Sequence, residues 1–210
     1  MSLEALDWTA IEGELDAVGA AVLPGWFSGA EAQALATLAP PATLLMPQGG
    51  DVLPLTLPAP LARRCEKLLR HLVPIKQRWL ATLGLPCPDA DAAPMPTQAW
   101  VHRLRAPDYQ ALHQRDDAEP GCALQLVALL SEPGRDFTGG SFVLTEQRPR
   151  MQSRPTVLPL QRGDAAIIAI AQRPMQGRSG PYRVNLRHGV SRVHQGERLG
   201  LELRLSAPRG

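Results

Sequence analysis

The chain has 210 residues, 44% of them hydrophobic, which suits one domain with a sizeable buried core. Lysines and arginines number 22 against 20 aspartates and glutamates, and a net charge of +2 gives no reason to expect nucleic acid or an anionic membrane as partner. No apolar run reaches the ~20 residues of a membrane span, the start Met1-Ser2-Leu3-Glu4 lacks the pattern of a signal peptide, and Cys65, Cys87 and Cys122 form no CxxC pair, so a reducing, cytoplasmic setting is expected and a zinc ribbon is not.

The first half reads as helical. Trp8, Ile11, Leu15 and Val18 recur at helical spacing behind a possible N-cap, Asp7. Ala20 to Pro24 reads as a short strand. Ser28 and Glu31 have the spacing of a capping box and open a helix through Ala36. Residues 39–60, rich in Pro and Gly, read as irregular. Leu61, Cys65, Leu68, Leu69 and Leu72 form one amphipathic face, and Pro74 should end or kink that helix.

After the proline-rich stretch 84–97 the pattern changes to strands. Trp100 to Arg103, Ala123 to Leu130, Ser141 to Thr145, Thr156 to Leu160, Ala165 to Ala171, Tyr182 to Val190 and Leu199 to Leu205 are candidates, separated by turn residues such as Pro133-Gly134, Gly139-Gly140 and Gly163-Asp164. Short strands with that punctuation suggest a sandwich or jelly roll. The division expected is a helical support region, 1–97, and a β core, 98–210, within a single domain.

The chemistry concentrates on a few residues of the second half. His188 shares strand parity with Tyr182, Val184, Leu186 and Val190, so it faces inward. Upstream, His113 is followed by Gln114, Arg115, Asp116 and Asp117. Two imidazoles and a carboxylate are the donor set of a non-haem Fe(II) site with open positions. A carboxylate two residues after His113 would share its strand face, but Arg115 stands there. Asp116 becomes a ligand only if the chain leaves the strand after His113. Arg198 precedes the alternation Leu199, Leu201, Leu203, Leu205, and shares parity with the polar set Gly200, Glu202 and Arg204. That polar face either lines a pocket or meets solvent, and Arg204 is a second candidate for binding an anion.

The stretch Leu129-Leu130-Ser131-Glu132-Pro133-Gly134, then Asp136-Phe137-Thr138-Gly139-Gly140, Phe142 to Arg154, Gly163-Asp164 and Tyr182 to Arg192 resembles the bacterial 2-oxoglutarate/Fe(II) oxygenases related to the prolyl 4-hydroxylase domain. The resemblance covers roughly 108–200. It implies an α+β, mainly β fold: a double-stranded β-helix, or jelly roll, flanked by N-terminal helices. It further implies Fe(II) held by His113, a following carboxylate and His188, with 2-oxoglutarate anchored by Arg198. The implied reaction splits 2-oxoglutarate to succinate and carbon dioxide and hydroxylates a C–H bond. This chain departs from the family pattern at Arg115, where the carboxylate is usual, at Leu104, where a tyrosine is common, at Ser141 and at Leu199.

Three readings follow. The first is an active oxygenase with His113, Asp116 and His188 as metal ligands and a peptide or small molecule as substrate. The second is a catalytically decayed jelly roll that binds a small anion, a peptide or a protein partner. The third is a nucleic-acid binder using Arg148, Arg150, Arg154, Arg183, Arg187 and Arg192, against which stand the low net charge and the lack of interleaved aromatics.

Overall fold

Local side-chain chemistry sets the first elements of the structure, a computed structural model that describes residues 2–39, 44–45, 50–86, 97–114 and 124–205. Helix α1 (Trp8–Val18) starts where the Asp7 carboxylate accepts the Ala10 N–H at 3.0 Å, and strand β1 (Ala20–Leu23) follows. Helix α2 (Gly29–Leu38) carries both bonds of its capping box: Glu31 N donates to Ser28 Oγ at 3.1 Å, and Ser28 N donates to the Glu31 carboxylate at 2.8 Å. Strands β2 (Leu44–Leu45) and β3 (Asp51–Pro54) come next. Helix α3 (Ala59–His71) buries Leu61, Cys65, Leu68 and Leu69, the face its spacing foretells. Pro74 sits in the first turn of α4 (Val73–Thr82), where its missing N–H costs no helical bond.

The remainder is β structure: β4 (Thr97–Arg105), β5 (Gln110–His113), β6 (Leu124–Leu129), β7 (Phe137–Gly139), β8 (Phe142–Gln147), β9 (Arg154–Leu158), β10 (Ala165–Ala169), β11 (Gln172–Gly177), β12 (Gly180–Val190) and β13 (Val193–Leu205). They form two antiparallel sheets. The larger runs β1-β10-β6-β13-β4-β3-β2, with β7 on β13; the smaller runs β11-β12-β8-β9, with β5 on β12. This is the jelly roll expected, a double-stranded β-helix whose larger sheet carries helices on its outer face.

Two buried cores result. Outside the larger sheet, Val101, Leu126, Ile167, Leu201 and Leu203 pack with helical residues such as Leu15, Leu35, Leu68 and Trp79. Between the sheets, Leu104, Val127, Phe142, Leu144, Ile168 and Val190 form the second. Both faces of the larger sheet are therefore covered, which is why β10 is buried at every position.

The sequence expectation needs correction in the first half. Residues 39–60 are not wholly irregular: β3 pairs β4 with Leu53 opposite Val101, and β2 pairs β3. Such short strands, β2 at the sheet edge and β3 ending in Pro54, give too little alternation to be read. With β1 bonded to β10, the supposed helical region also supplies strands to the larger sheet. The proline-rich boundary falls largely on 87–96, outside the described residues.

Candidate functional site

The strand register places the two singled-out histidines directly opposite each other. His188 on β12 pairs with His113 on β5, and their ring centroids are 4.3 Å apart with planes inclined by 53°. Gly189 makes this approach possible. A Cβ there would come within 2.6 Å of the Gln110 carbonyl oxygen, so any side chain would push β5 and His113 away. His188 is buried at 1% exposure, as its parity required, and stacks near Phe142. His113 Nδ1 lies 3.0 Å from the Ala111 carbonyl oxygen. A carbonyl only accepts, so Nδ1 carries the proton and Nε2 keeps the lone pair that a metal needs.

Arg198 occupies the cavity between the sheets. The parity question has a clear answer here: the leucine face of β13 meets the helices, while Arg198, Gly200 and Glu202 face the interior. Arg198 is 3% exposed. Burial alone lowers its pKa to about 10, and among the described residues no carboxylate pairs with it. Its Nε donates a hydrogen bond to the Gly140 carbonyl at 2.8 Å. A buried cation without a counter-ion is costly. It is tolerated where a ligand supplies the anion.

The same cavity, about 310 Å³ including its open mouth, is lined by His188, Gln125, His102 and Glu202 beside Arg198. His102 Nε2 is 3.0 Å from the Glu202 carboxylate, and among the described residues the buried His102 Nδ1 has no hydrogen-bond partner. Gln125 is fully buried; its amide nitrogen is 3.5 Å from His188 Nε2, and among the described residues its Oε1 has no partner. None of these three was singled out from the sequence. The available signals were parity and isolation: Glu202 shares the face of Arg198, and Gln125 is a lone polar residue in an apolar run. Leu104, standing where the family has a tyrosine, is fully buried, and His102 two residues earlier enters the cavity instead.

Among the described residues no third His, Cys, Asp or Glu joins the two histidines as a metal-binding group. Arg115 and Asp116 lie outside the described residues, and of Arg204 only the backbone is described, in register with Gln98. Asp116 is three residues from His113, within ~10 Å of chain reach. The donor set among the described residues therefore supplies two of the three ligands of a facial iron site. No helix among the described residues is long and apolar enough to cross a membrane.

Comparison with known proteins agrees with this geometry. A family described as "Oxygenase, catalysing oxidative methylation of damaged DNA" matches residues 52–207. An uncharacterised Mycobacterium tuberculosis protein, Rv2227, is 35% identical over 161 residues, covering 70% of this chain and 69% of the relative. Among solved structures, a 2-oxoglutarate/Fe(II) oxygenase-family oxidoreductase from Burkholderia pseudomallei aligns with a TM-score of 0.56 at 18% identity, over 95% of this chain and 89% of that one. A Pseudomonas putida prolyl-4-hydroxylase aligns with a TM-score of 0.54 at 16% identity, over 96% and 99%. The viral collagen prolyl hydroxylase of Paramecium bursaria Chlorella virus-1, in its 2-oxoglutarate complex, gives 0.57 at 17% identity, over 92% and 98%. With paired histidines, a buried arginine and a jelly roll already in place, the chain belongs to this oxygenase family and shares its fold with solved 2-oxoglutarate/Fe(II) oxygenases and prolyl hydroxylases.

Proposed function

We propose that this protein is an active Fe(II)/2-oxoglutarate-dependent oxygenase, that His113, Asp116 and His188 hold the iron, and that its substrate is a damaged base in DNA. The observation that carries the reading is the uncompensated guanidinium of Arg198, buried in the cavity that His188 also lines. Its planar fork suits the far carboxylate of 2-oxoglutarate in a bidentate pair. Arg204, six residues on and of the same strand parity, is the second candidate for that anion.

Each residue has a defined task. The Ala111 carbonyl fixes the tautomer and tilt of His113. Phe142, Val127 and Val190 give the cavity an apolar wall, which lowers the local dielectric and strengthens charge pairing at Arg198. Bound Fe(II) would couple the oxidative decarboxylation of 2-oxoglutarate by oxygen to insertion of one oxygen atom into a substrate C–H bond, leaving succinate and carbon dioxide. The DNA substrate is taken from the description of the family, where the sequence alone left the substrate open between a peptide and a small molecule.

The test is succinate formation from 2-oxoglutarate by protein loaded with Fe(II), with and without an oligodeoxynucleotide carrying alkylated bases. Turnover stimulated by the damaged strand is the expected result. Tight 2-oxoglutarate binding with no succinate under any condition would move the chain to the non-catalytic binding reading.

A further inference from the structure

The net charge of +2 conceals a strong polarity. Residues 142–192 hold nine arginines, no lysine and two carboxylates, while the rest of the chain carries thirteen basic residues against eighteen acidic ones. Of the two carboxylates, Glu146 is buried against Arg173 and Arg148, and Asp164 accepts the Gly25 and Gln161 N–H groups. Neither offers charge to the surface of the smaller sheet.

The register shows where the arginines go. On β12 the inward positions Val184, Leu186 and His188 alternate with exposed Arg183, Asn185 and Arg187. Arg187 lies in line with Thr145 of β8 and Pro155 of β9, and Arg183 is opposite Pro174 of β11. Exposed Arg154 begins β9, and exposed Arg150 stands in the turn before it. Among the described residues none of Arg150, Arg154, Arg183 and Arg187 has an ion-pair partner, whereas Arg78, Arg105 and Arg135 elsewhere all have one. Met151 and Val157, both large and exposed, lie among them.

We infer that the outer face of the smaller sheet, carried by Arg183 and Arg187 with Arg150 in the adjoining turn, is a binding surface for the phosphate backbone of a DNA strand. This rests on the reading that the substrate is DNA, and it adds which face holds it. Arg183 and Arg187 are four strand residues apart, about 13 Å along β12, so they reach phosphates of different nucleotides. The face carries no stacked aromatic ring, so contact is to the backbone and tolerant of sequence. Strand β12 then bears the metal-binding His188 on its inner side and the strand-holding arginines on its outer side.

The experiment is fluorescence anisotropy with a labelled single-stranded oligodeoxynucleotide and its duplex, between about 50 and 200 mM salt. Three proteins are compared: the wild type, the double variant Arg183→Glu/Arg187→Glu, and a control, Arg63→Glu/Arg70→Glu, that removes the same charge from α3. The face variant should bind the single strand at least tenfold more weakly and lose about 1.4 from the slope of log affinity against log salt, the amount due to two phosphate contacts. The control should stay within threefold of wild type. Stabilisation of each protein by Co(II) and 2-oxoglutarate, read as a thermal shift, shows that the site is folded. Equal affinity of face variant and wild type, equal weakening in the control, or competition by polyglutamate as strong as by DNA would overturn the inference. Succinate formation on a free alkylated nucleoside without strand binding would sink this inference and leave the oxygenase reading; strand binding on the arginine face with no succinate would do the reverse.

Discussion

Arg198 lies folded over Gly200: its Nη1 is 2.7 Å from the point where a Cβ on Gly200 would stand. Gly200 is opposite His102 on β4, so the guanidinium is directed along β13 towards the His102–Glu202 pair. A glycine at this point is a condition for the anion site. Gly200→Ala would displace only the end of a flexible side chain, so the fold should persist. Loss of a charge-assisted contact of about 1.5–3 kcal/mol predicts 2-oxoglutarate affinity lower by about tenfold to a hundredfold. Calorimetric titration in the presence of Co(II) measures this, and unchanged affinity would remove Arg198 from the anion site.

Replacing Arg198 itself separates binding from stability. Its pKa, lowered by burial to about 10, means that the folded state holds the proton less tightly than the unfolded chain. Charge burial therefore costs stability at every pH below about 10, and the cost fades only as the pH rises above that towards the ordinary arginine range. The shift corresponds to roughly 3 kcal/mol at most, offset in part by the lost bond to Gly140. Arg198→Met should thus be at least as stable as wild type when ligand-free, yet gain nothing from 2-oxoglutarate in a thermal unfolding assay. Arg198→Lys should retain charge but lose the fork and bind 2-oxoglutarate about tenfold to a hundredfold more weakly. A strongly destabilised methionine variant would contradict the idea of an uncompensated cation.

His102 holds the Glu202 carboxylate, which shares the cavity with Arg198. Released from His102, Glu202 becomes an internal competitor for the guanidinium. His102→Leu is expected to weaken 2-oxoglutarate binding at least threefold, and His102→Leu/Glu202→Leu to recover most of the loss. A double variant no better than the single one would show that His102 acts directly and not through Glu202.

The third ligand is the point on which activity turns. With Asp116 in the iron site, Asp116→Ala should abolish metal-dependent succinate formation, while Arg115→Ala changes it little. If instead Arg115 faces the two histidines, its like charge repels the cation. Wild type would then bind little metal, and Arg115→Asp would restore it. Metal content and succinate, measured on the same preparations, separate the two outcomes.

Much of this site was legible in the sequence for physical reasons. Strand parity put His188 inside, and the structure agrees at 1% exposure. The capping box at Ser28 and Glu31 was readable because it is local. The role of the polar face of β13 was not decidable, because a sheet covered on both sides makes the leucines face helices and the polar residues face a cavity. His102, Gln125 and Glu202 become a group only through pairing of strands about a hundred residues apart, as the separation of His102 and Glu202 shows. Strands β2 and β3 were missed because they are short and join the sheet only through the pairing of β3 with β4 and of β2 with β3.

With His113 and His188 as ligands, the protein should hold a metal that 2-oxoglutarate joins. Anaerobic titration of Fe(II) into the protein, with and without 2-oxoglutarate, measures this. The expected result is one metal per chain, tighter binding of each ligand in the presence of the other, and loss of both effects in His188→Ala while Arg198→Met loses only the 2-oxoglutarate effect. Stoichiometric metal binding that survives His188→Ala, or 2-oxoglutarate binding indifferent to metal, would contradict it.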